Sequence, residues 1–313
     1  MLEIRKLYKY FNAFPALDGL NLEIKKGELF GFVGPNGAGK TTTMKIVSGL
    51  LKADAGMVLV DGINVSKDVK KLKEKIGYMP DFFGVYDNLK VVEYMEFYAS
   101  IYGIERKREK LLIYELLELV NLLEQSENYV DALSRGMKQR LCLARCLIHD
   151  PELLILDEPA SGLDPRARFE MKEILMNLNH RGKTIIISSH ILPELSQMCS
   201  TIGIIQKGTM VLKGTVEEIM QQMNTSNPLM IRVLEGQESI VSLLKNNSLV
   251  ENIAMKGTDY SIGFNGNKEQ EAKLLYSLVQ NNIKISSFAR QEGTLESLFI
   301  QITKEVESDK IEI

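Results

Sequence analysis

Eight consecutive residues, Gly34-Pro35-Asn36-Gly37-Ala38-Gly39-Lys40-Thr41, have the types and spacing to hold phosphate. Gly34, Gly37 and Gly39 let the backbone curl until successive N–H groups point inward at phosphate oxygens. Lys40 can reach the β- and γ-phosphates of a nucleotide, and the Thr41 hydroxyl can ligate the accompanying Mg²⁺. Nucleotide contacts are therefore expected from Gly34 through Thr42. The pattern carries this meaning only between a strand and a helix. That context is present: residues 29–33 (LFGFV) read as a buried strand, and residues from about Lys40 to Leu50 as a helix whose dipole adds positive potential at the phosphates.

A second acidic constellation follows. LLILDEP, residues 153–159, is an apolar strand ending in two carboxylates. Asp157 at the strand end suits a Mg²⁺ role, and Glu158 would project toward the γ-phosphate to orient or deprotonate an attacking water. Alone, this could be an ordinary acidic turn; with a phosphate loop upstream it reads as hydrolytic machinery. A phosphate loop does not by itself separate a GTPase, a kinase, a helicase and a transporter ATPase.

The elements that must position these groups are legible in outline. The chain has 313 residues, 45% hydrophobic and 25% charged, which favours two domains of ordinary globular composition. A net charge of -3 argues against a broad electrostatic grip on nucleic acid. Residues 153–156 (LLIL) and 184–189 (TIIISS) read as parallel strands buried on both faces. From about Val91 to Leu123 the pattern is helical, with Tyr94, Phe97, Tyr98 and Ile101 forming a stripe read as a core face. Cys142, Cys146 and Cys199 read as packing residues of a reducing compartment rather than as metal ligands. The first residues lack the apolar run of a signal peptide, and no stretch is long and apolar enough to span a bilayer.

Near residues 221–228 the composition turns polar and ends in proline, which marks a linker. Beyond it the spacing predicts a strand at 229–235, a helix at 237–246, strands at 249–256 and 258–265, a helix at 268–281 and a strand at 283–289. This βαββαβ order suits a small ferredoxin-like α+β domain. The expected organisation is a nucleotide-binding domain over 1–220, with a helical subdomain at about 82–150. A linker at 221–228, an accessory domain over 229–303 and a charged tail at 304–313 complete it.

With these motifs on the page, the chain resembles the ATP-binding subunit of an ATP-binding cassette (ABC) transporter. The order and spacing agree to about residue 220, roughly two-thirds of the chain. LSRGMKQR, Leu133 to Arg140, approximates the family signature; SGLDP, Ser161 to Pro165, is the aspartate loop; His190 stands as the switch histidine. The resemblance implies an α/β P-loop NTPase fold, a RecA-like core with a helical subdomain. It also implies that Ser134, Arg135, Gly136 and Met137 meet the γ-phosphate held by a second copy, with Asp164 in the dimer loop. Phe11 takes the adenine-stacking place, with Tyr10 as competitor. Ser134 and Gly136 open a predicted helix through Leu147, a good anion site.

Three positions depart from the family pattern. Arg135 replaces a glycine, tolerable if its side chain points outward, and Met137 replaces a glutamine. Asp81, in YMPDFFGVY, replaces the glutamine that links Mg²⁺ to the membrane partner. With the extra C-terminal domain, these departures resemble the drug- and peptide-export branch. The implied function is ATP hydrolysis by a MgATP-bound dimer, of identical or related chains, that powers a separate integral membrane permease from the inner face of the cell membrane. Phe82, Phe83, Val85 and Tyr86 then fall where the permease docks, or in a core. Glu158, His190 and Lys40 are the expected catalytic residues; no nucleic-acid partner is expected. The alternative is a non-transport ABC ATPase acting on ribosome or nucleic-acid complexes.

Overall fold

The computed structural model describes residues 1–82, 84, 88–219, 228–235 and 237–290. The chain divides into two compact units, Met1–Thr215 and Val216–Ile313. The expected linker at 221–228, except Pro228, lies outside the described residues, as do 291–303 and the charged tail at 304–313.

The first unit is built on two sheets. Strands β1 (Leu2–Phe11), β2 (Phe14–Ile24), β4 (Ala55–Val60) and β5 (Ile63–Asn64) form an antiparallel sheet of order β2-β1-β4-β5. The other sheet has the order β10-β9-β3-β8-β7-β6. Its strands are β3 (Leu29–Val33), β6 (Ile76–Met79), β7 (Leu153–Leu156), β8 (Thr184–Ser189), β9 (Thr201–Gln206) and β10 (Thr209–Gly214). All pairings there are parallel except β9 with β10. Every residue of β3, β7 and β8 is buried, as the apolar runs predict for strands covered on both faces. Helix α1 (Lys40–Val47) contributes Met44, Ile46 and Val47 to one core with Leu2, Leu7 and Leu20 of the antiparallel sheet and Phe30 and Phe32 of β3. The phosphate loop is thus rooted in both sheets.

Helix α2 (Val69–Lys75) precedes β6. The predicted continuous helical stretch from Val91 to Leu123 is two helices, α3 (Val91–Ile101) and α4 (Arg106–Leu119). Gly103, at φ +69, turns the chain between them, a conformation that favours glycine. The aromatic stripe is a core face only in part. Tyr94 is fully buried and Tyr98 half-buried, while Phe97 and Ile101 are exposed. Helix α5 (Arg135–Leu147) explains the tyrosines' hydroxyls: Arg145 donates to Tyr94 Oη at 3.2 Å and to Tyr98 Oη at 3.5 Å. Cys142, Cys146 and Cys199 are buried thiols. Helices α6 (Pro165–His180) and α7 (Leu192–Ser196) flank β8 in sequence.

In the second unit, β11 (Leu229–Glu235), α8 (Gln237–Lys245), β12 (Val250–Lys256), β13 (Asp259–Phe264), α9 (Lys268–Gln280) and β14 (Lys284–Arg290) follow the βαββαβ order. The antiparallel sheet runs β12-β13-β11-β14, the ferredoxin-like arrangement. Ile240, Leu244, Leu274 and Leu278 of the helices pack with Ile231, Tyr260 and Ile262 of the sheet. Among the described residues, no helix is long and apolar enough to cross a membrane.

Glu152, at the foot of β7, ties three segments of the first unit together. Its carboxylate accepts from Lys26, before β3, and from Lys75 at the end of α2, and these bonds hold its pKa down at about 2. A carboxyl whose folded value lies below its ordinary 4.5 stabilises above that value and loses the contribution as pH falls through the folded one. Glu152→Gln should therefore lower the melting temperature at pH 7. The gap from wild type should narrow between about pH 4.5 and pH 2, as thermal unfolding across that range would read.

Candidate functional site

Parallel register brings the carboxyl ends of four strands into one row, where open α/β sheets place their ligands. Val33 of β3 stands opposite Ser189 of β8, Leu156 of β7 opposite Ile187 of β8, and Met79 of β6 opposite Leu156. The residues that follow are Gly34, His190, Asp157 and, two beyond Met79, Asp81. The structure thus brings together groups separated by up to 156 positions in sequence.

The loop from Gly34 to Lys40 is sterically committed. A Cβ on Gly34 would lie 2.4 Å from the Ile205 carbonyl oxygen; one on Gly39, at φ +109, would lie 2.7 Å from that of Ala16. Lys40 is buried, and its ammonium donates to the carbonyls of Gly34 at 2.6 Å and Pro35 at 3.2 Å. Its Nζ is also 3.7 Å from Glu158 Oε1. Burial pulls the Lys40 pKa down, while Glu158 and Asp157 oppose the shift. A cavity of about 390 Å³ opens over the loop, within the range of small-molecule sites. Pro35 through Thr42 line it, together with Phe11, Phe14, Asp81, Glu158, Ser161 and His190.

The carboxylate pair is held by one hydroxyl. Ser188 Oγ donates to Asp157 Oδ1 at 2.7 Å and accepts from the Glu158 N–H at 2.9 Å. Glu158 has φ +51, an uncommon conformation for a residue with a Cβ. Its Oε2 lies 2.9 Å from His190 Nδ1. Asp157 is 1% exposed, and its Oδ2 has no hydrogen-bond partner among the described residues. A buried, half-satisfied carboxylate one residue before Glu158, with Thr41 and Asp81 lining the cavity, supplies oxygen donors of the kind Mg²⁺ takes.

The signature residues lie apart from this cavity: none of Ser134, Arg135, Gly136 and Met137 is among its described lining residues. Ser134 is the N-cap of α5, accepting from Met137 N at 3.3 Å. Gly136 is buried, with no room for a Cβ, which would lie 2.8 Å from that of Ala167. Arg135 does not simply point outward. Its guanidinium covers Gly162 of the aspartate loop, where it would clash with a Cβ at 2.5 Å. Asp164 caps α6 through its carboxylate, which accepts from Ala167 N at 2.9 Å.

Sequence reasoning missed Phe14 and Ser188, and it placed Ser161 in the aspartate loop without foreseeing that it lines the cavity. Phe14 pairs with Phe11 across the β1–β2 hairpin, so the cavity has two rings on its rim, Phe11 being 48% exposed. Tyr10, the competitor for the stacking place, does not line the cavity among the described residues. The hairpin signal was available in the alternation around Asn12, which has φ +53. Nothing in the sequence marked Ser188, because its two bonds cross from β8 to β7. Phe82 is 91% exposed, while Phe83, Val85 and Tyr86 lie outside the described residues.

A phosphate loop between a parallel strand and a helix, with a carboxylate pair on a strand of the same sheet, defines a P-loop nucleoside triphosphatase. The comparisons narrow the class. The family model described as ABC transporter matches residues 17–161. A linearmycin resistance ATP-binding protein of Bacillus subtilis is 32% identical over 97% of this chain and 98% of its own length. The bacitracin transport ATP-binding protein of Bacillus licheniformis is 35% identical over 96% and 97%. Among solved structures, an ATP-binding subunit of an ABC transporter gives a TM-score of 0.65 at 28% identity, covering 71% of this chain and 93% of that one. A dimeric cassette bound to ADP and phosphate gives 0.63 at 25%, covering 69% and 99%. The chain belongs to the ABC transporter family, as an ATP-hydrolysing subunit. The ribosome or nucleic-acid reading is not favoured.

Ser188→Ala would leave Asp157 Oδ1 and the Glu158 N–H without their shared partner. Unsatisfied buried groups cost about 1–3 kcal/mol, so thermal unfolding should register a loss of that order. ATP turnover should fall by about tenfold or more, with the affinity for ATP changing less, as steady-state kinetics and nucleotide titration would show.

Proposed function

We propose that two copies of this chain, identical or closely related, close on MgATP and drive a separate integral membrane permease from the cytoplasmic face. The observation that supports this best is the meeting of Lys40, Glu158 and His190 at one cavity, with the capped end of α5 standing outside it. A site with its phosphate loop and base in one place, and its second anion-binding helix end elsewhere, is completed by another copy.

Each residue then has a role that its surroundings allow. The backbone from Gly34 to Gly39 and the Lys40 ammonium hold the phosphates, with Pro35, Asn36, Ala38 and Thr42 along the same loop. Phe11 stacks on adenine, with Phe14 beside it. Mg²⁺, when bound, would neutralise phosphate charge, held by Thr41 and Asp157, with Asp81 within reach through a water. Glu158 accepts the proton of the attacking water, and His190 keeps that carboxylate aligned while donating toward the γ-phosphate. Ser134, Arg135, Gly136 and Met137 present a helix N-terminus to the phosphate of the other copy, and Asp164 lies at the dimer contact.

The exposed Phe82 beside Asp81 supports docking of a permease segment there, so that movement of the Asp81 loop reports the nucleotide state. The relative named for linearmycin resistance supports export of a toxic compound as the work that hydrolysis drives.

Glu158→Gln keeps size and removes the base. With MgATP, the full-length variant should accumulate as a stable ATP-bound dimer, and its turnover should fall about a hundredfold or more. A variant that stays monomeric and hydrolyses like wild type would remove the proposed role. Recovery of the tagged chain from its own cells with an integral membrane protein is the expected result of co-purification; recovery with ribosomes would overturn the transport reading.

A further inference from the structure

Behind Glu158 and His190 lies a second, smaller cavity of about 120 Å³, and the two charges at its far side are used in no step above. Arg168 stands one turn into α6, just past Asp164. Its Nη1 lies 2.6 Å from Glu194 Oε1, and its Nη2 donates to the Leu163 carbonyl at 3.2 Å. Glu194 belongs to α7, four residues after His190. Arg168, Glu194, Glu158, Ser161 and His190 all line this one cavity. Contacts therefore run from the loop 161–164, through one guanidinium, to the segment that carries His190, and from His190 Nδ1 to Glu158.

An ordinary packing role does not account for this arrangement. Helix α7 is already anchored by the buried Leu192 and Leu195, and a second polar link joins it to α6, where Lys172 Nζ donates to Gln197 Oε1 at 3.3 Å. Exposed ion pairs contribute little to stability. The Glu194 carboxylate, however, is only 17% exposed, and the guanidinium is divided between an ion pair to that carboxylate and a hydrogen bond to a loop carbonyl. That division makes the position of the loop and the position of α7 depend on each other. His190 is the least confined member of the group, at 46% exposed, so its placement depends on the segment behind it.

We propose that Arg168 and Glu194 are positioning residues that set His190 and Glu158 according to the place of the 161–164 loop. Contact of a second copy with that loop is thereby transmitted to the hydrolytic groups. The proposal rests on the reading of Asp164 as a dimer contact and of Glu158 and His190 as hydrolytic groups. Neither Arg168 nor Glu194 touches the nucleotide. Their loss should lower the rate of the chemical step and leave ATP binding nearly unchanged.

The experiment measures ATP turnover against ATP concentration, and melting temperature, for full-length wild type, Arg168→Met, Arg168→Lys and Glu194→Gln. The methionine variant removes both contacts, whereas lysine keeps a charge and donors at that place. Expected are a kcat about tenfold lower for Arg168→Met with KM for ATP within about twofold of wild type. Arg168→Lys should recover kcat to within about threefold, and Glu194→Gln should fall between. Unchanged kcat in Arg168→Met would overturn the proposal. So would KM rising as much as kcat falls, or a lysine variant as slow as the methionine one, because either describes general damage to the fold. Wild type without ATP turnover, or a Glu158→Gln variant that fails to dimerise on MgATP, strikes the underlying reading, and the proposal falls with it. Failure of the proposal alone is recognised by both of those controls behaving while the Arg168 variants turn over like wild type.

Discussion

Register in the parallel sheet is the constraint on which the remainder depends. Strands β3 and β8 end together at Val33 and Ser189, and β7 and β6 end together at Leu156 and Met79, with Leu156 opposite Ile187 of β8. The chain leaves each strand directly into a functional segment. A slip of one residue would exchange the faces of a strand. Here it would also carry Asp157 away from Ser188, and Glu158 from His190. Burial on both faces of β3, β7 and β8 gives little contrast between faces, so the bonds of Ser188 and His190 to Asp157 and Glu158 are what a slip would forfeit.

Charge at those ends follows a related logic. Lys40, Asp157 and Glu158 are withdrawn from water, where isolated ions are costly and paired ones tolerable. Lys40 answers with two loop carbonyls and Glu158; Asp157 answers with Ser188 on one oxygen only. The remaining oxygen, Asp157 Oδ2, is where the arrangement is electrostatically incomplete, and an added cation relieves it. Glu158 meets both a lysine and a histidine, so its charge is shared between the phosphate loop and the β8 end before any water is engaged.

How much of this was legible in the sequence depends on whether an interaction is local. The phosphate loop, the Asp157–Glu158 pair and the strands at 29–33, 153–156 and 184–189 were readable because motif and strand are contiguous. The ferredoxin-like unit was readable from alternation between glycines, since small antiparallel strands show one buried face. Ser188 was not readable, because the value of a hydroxyl in mid-sheet depends on which strand lies beside it. The break between α3 and α4 was written in Tyr102-Gly103, but the leucine periodicity that resumes after it concealed the turn. Arg135 illustrates the converse failure. An exposed arginine in place of glycine suggests an outward side chain, yet Gly162, itself without a side chain, provides a surface on which the guanidinium rests.

That contact, together with the Gln139 amide donating to the Ser161 carbonyl at 3.3 Å, joins the start of α5 to the aspartate loop within one copy. The loop is therefore held from two sides, by α5 through Gln139 and Arg135, and by α6 through the Asp164 cap and Arg168. A segment so fastened cannot shift without moving something else. Pressure on it from a second copy would be shared between the end of α5, which under the proposed reading faces the other phosphate, and the His190 segment, which faces its own. Opposed sites in a two-fold dimer each contain both elements. Under that reading one loop couples the two nucleotides, and no long-range pathway through the sheet is needed.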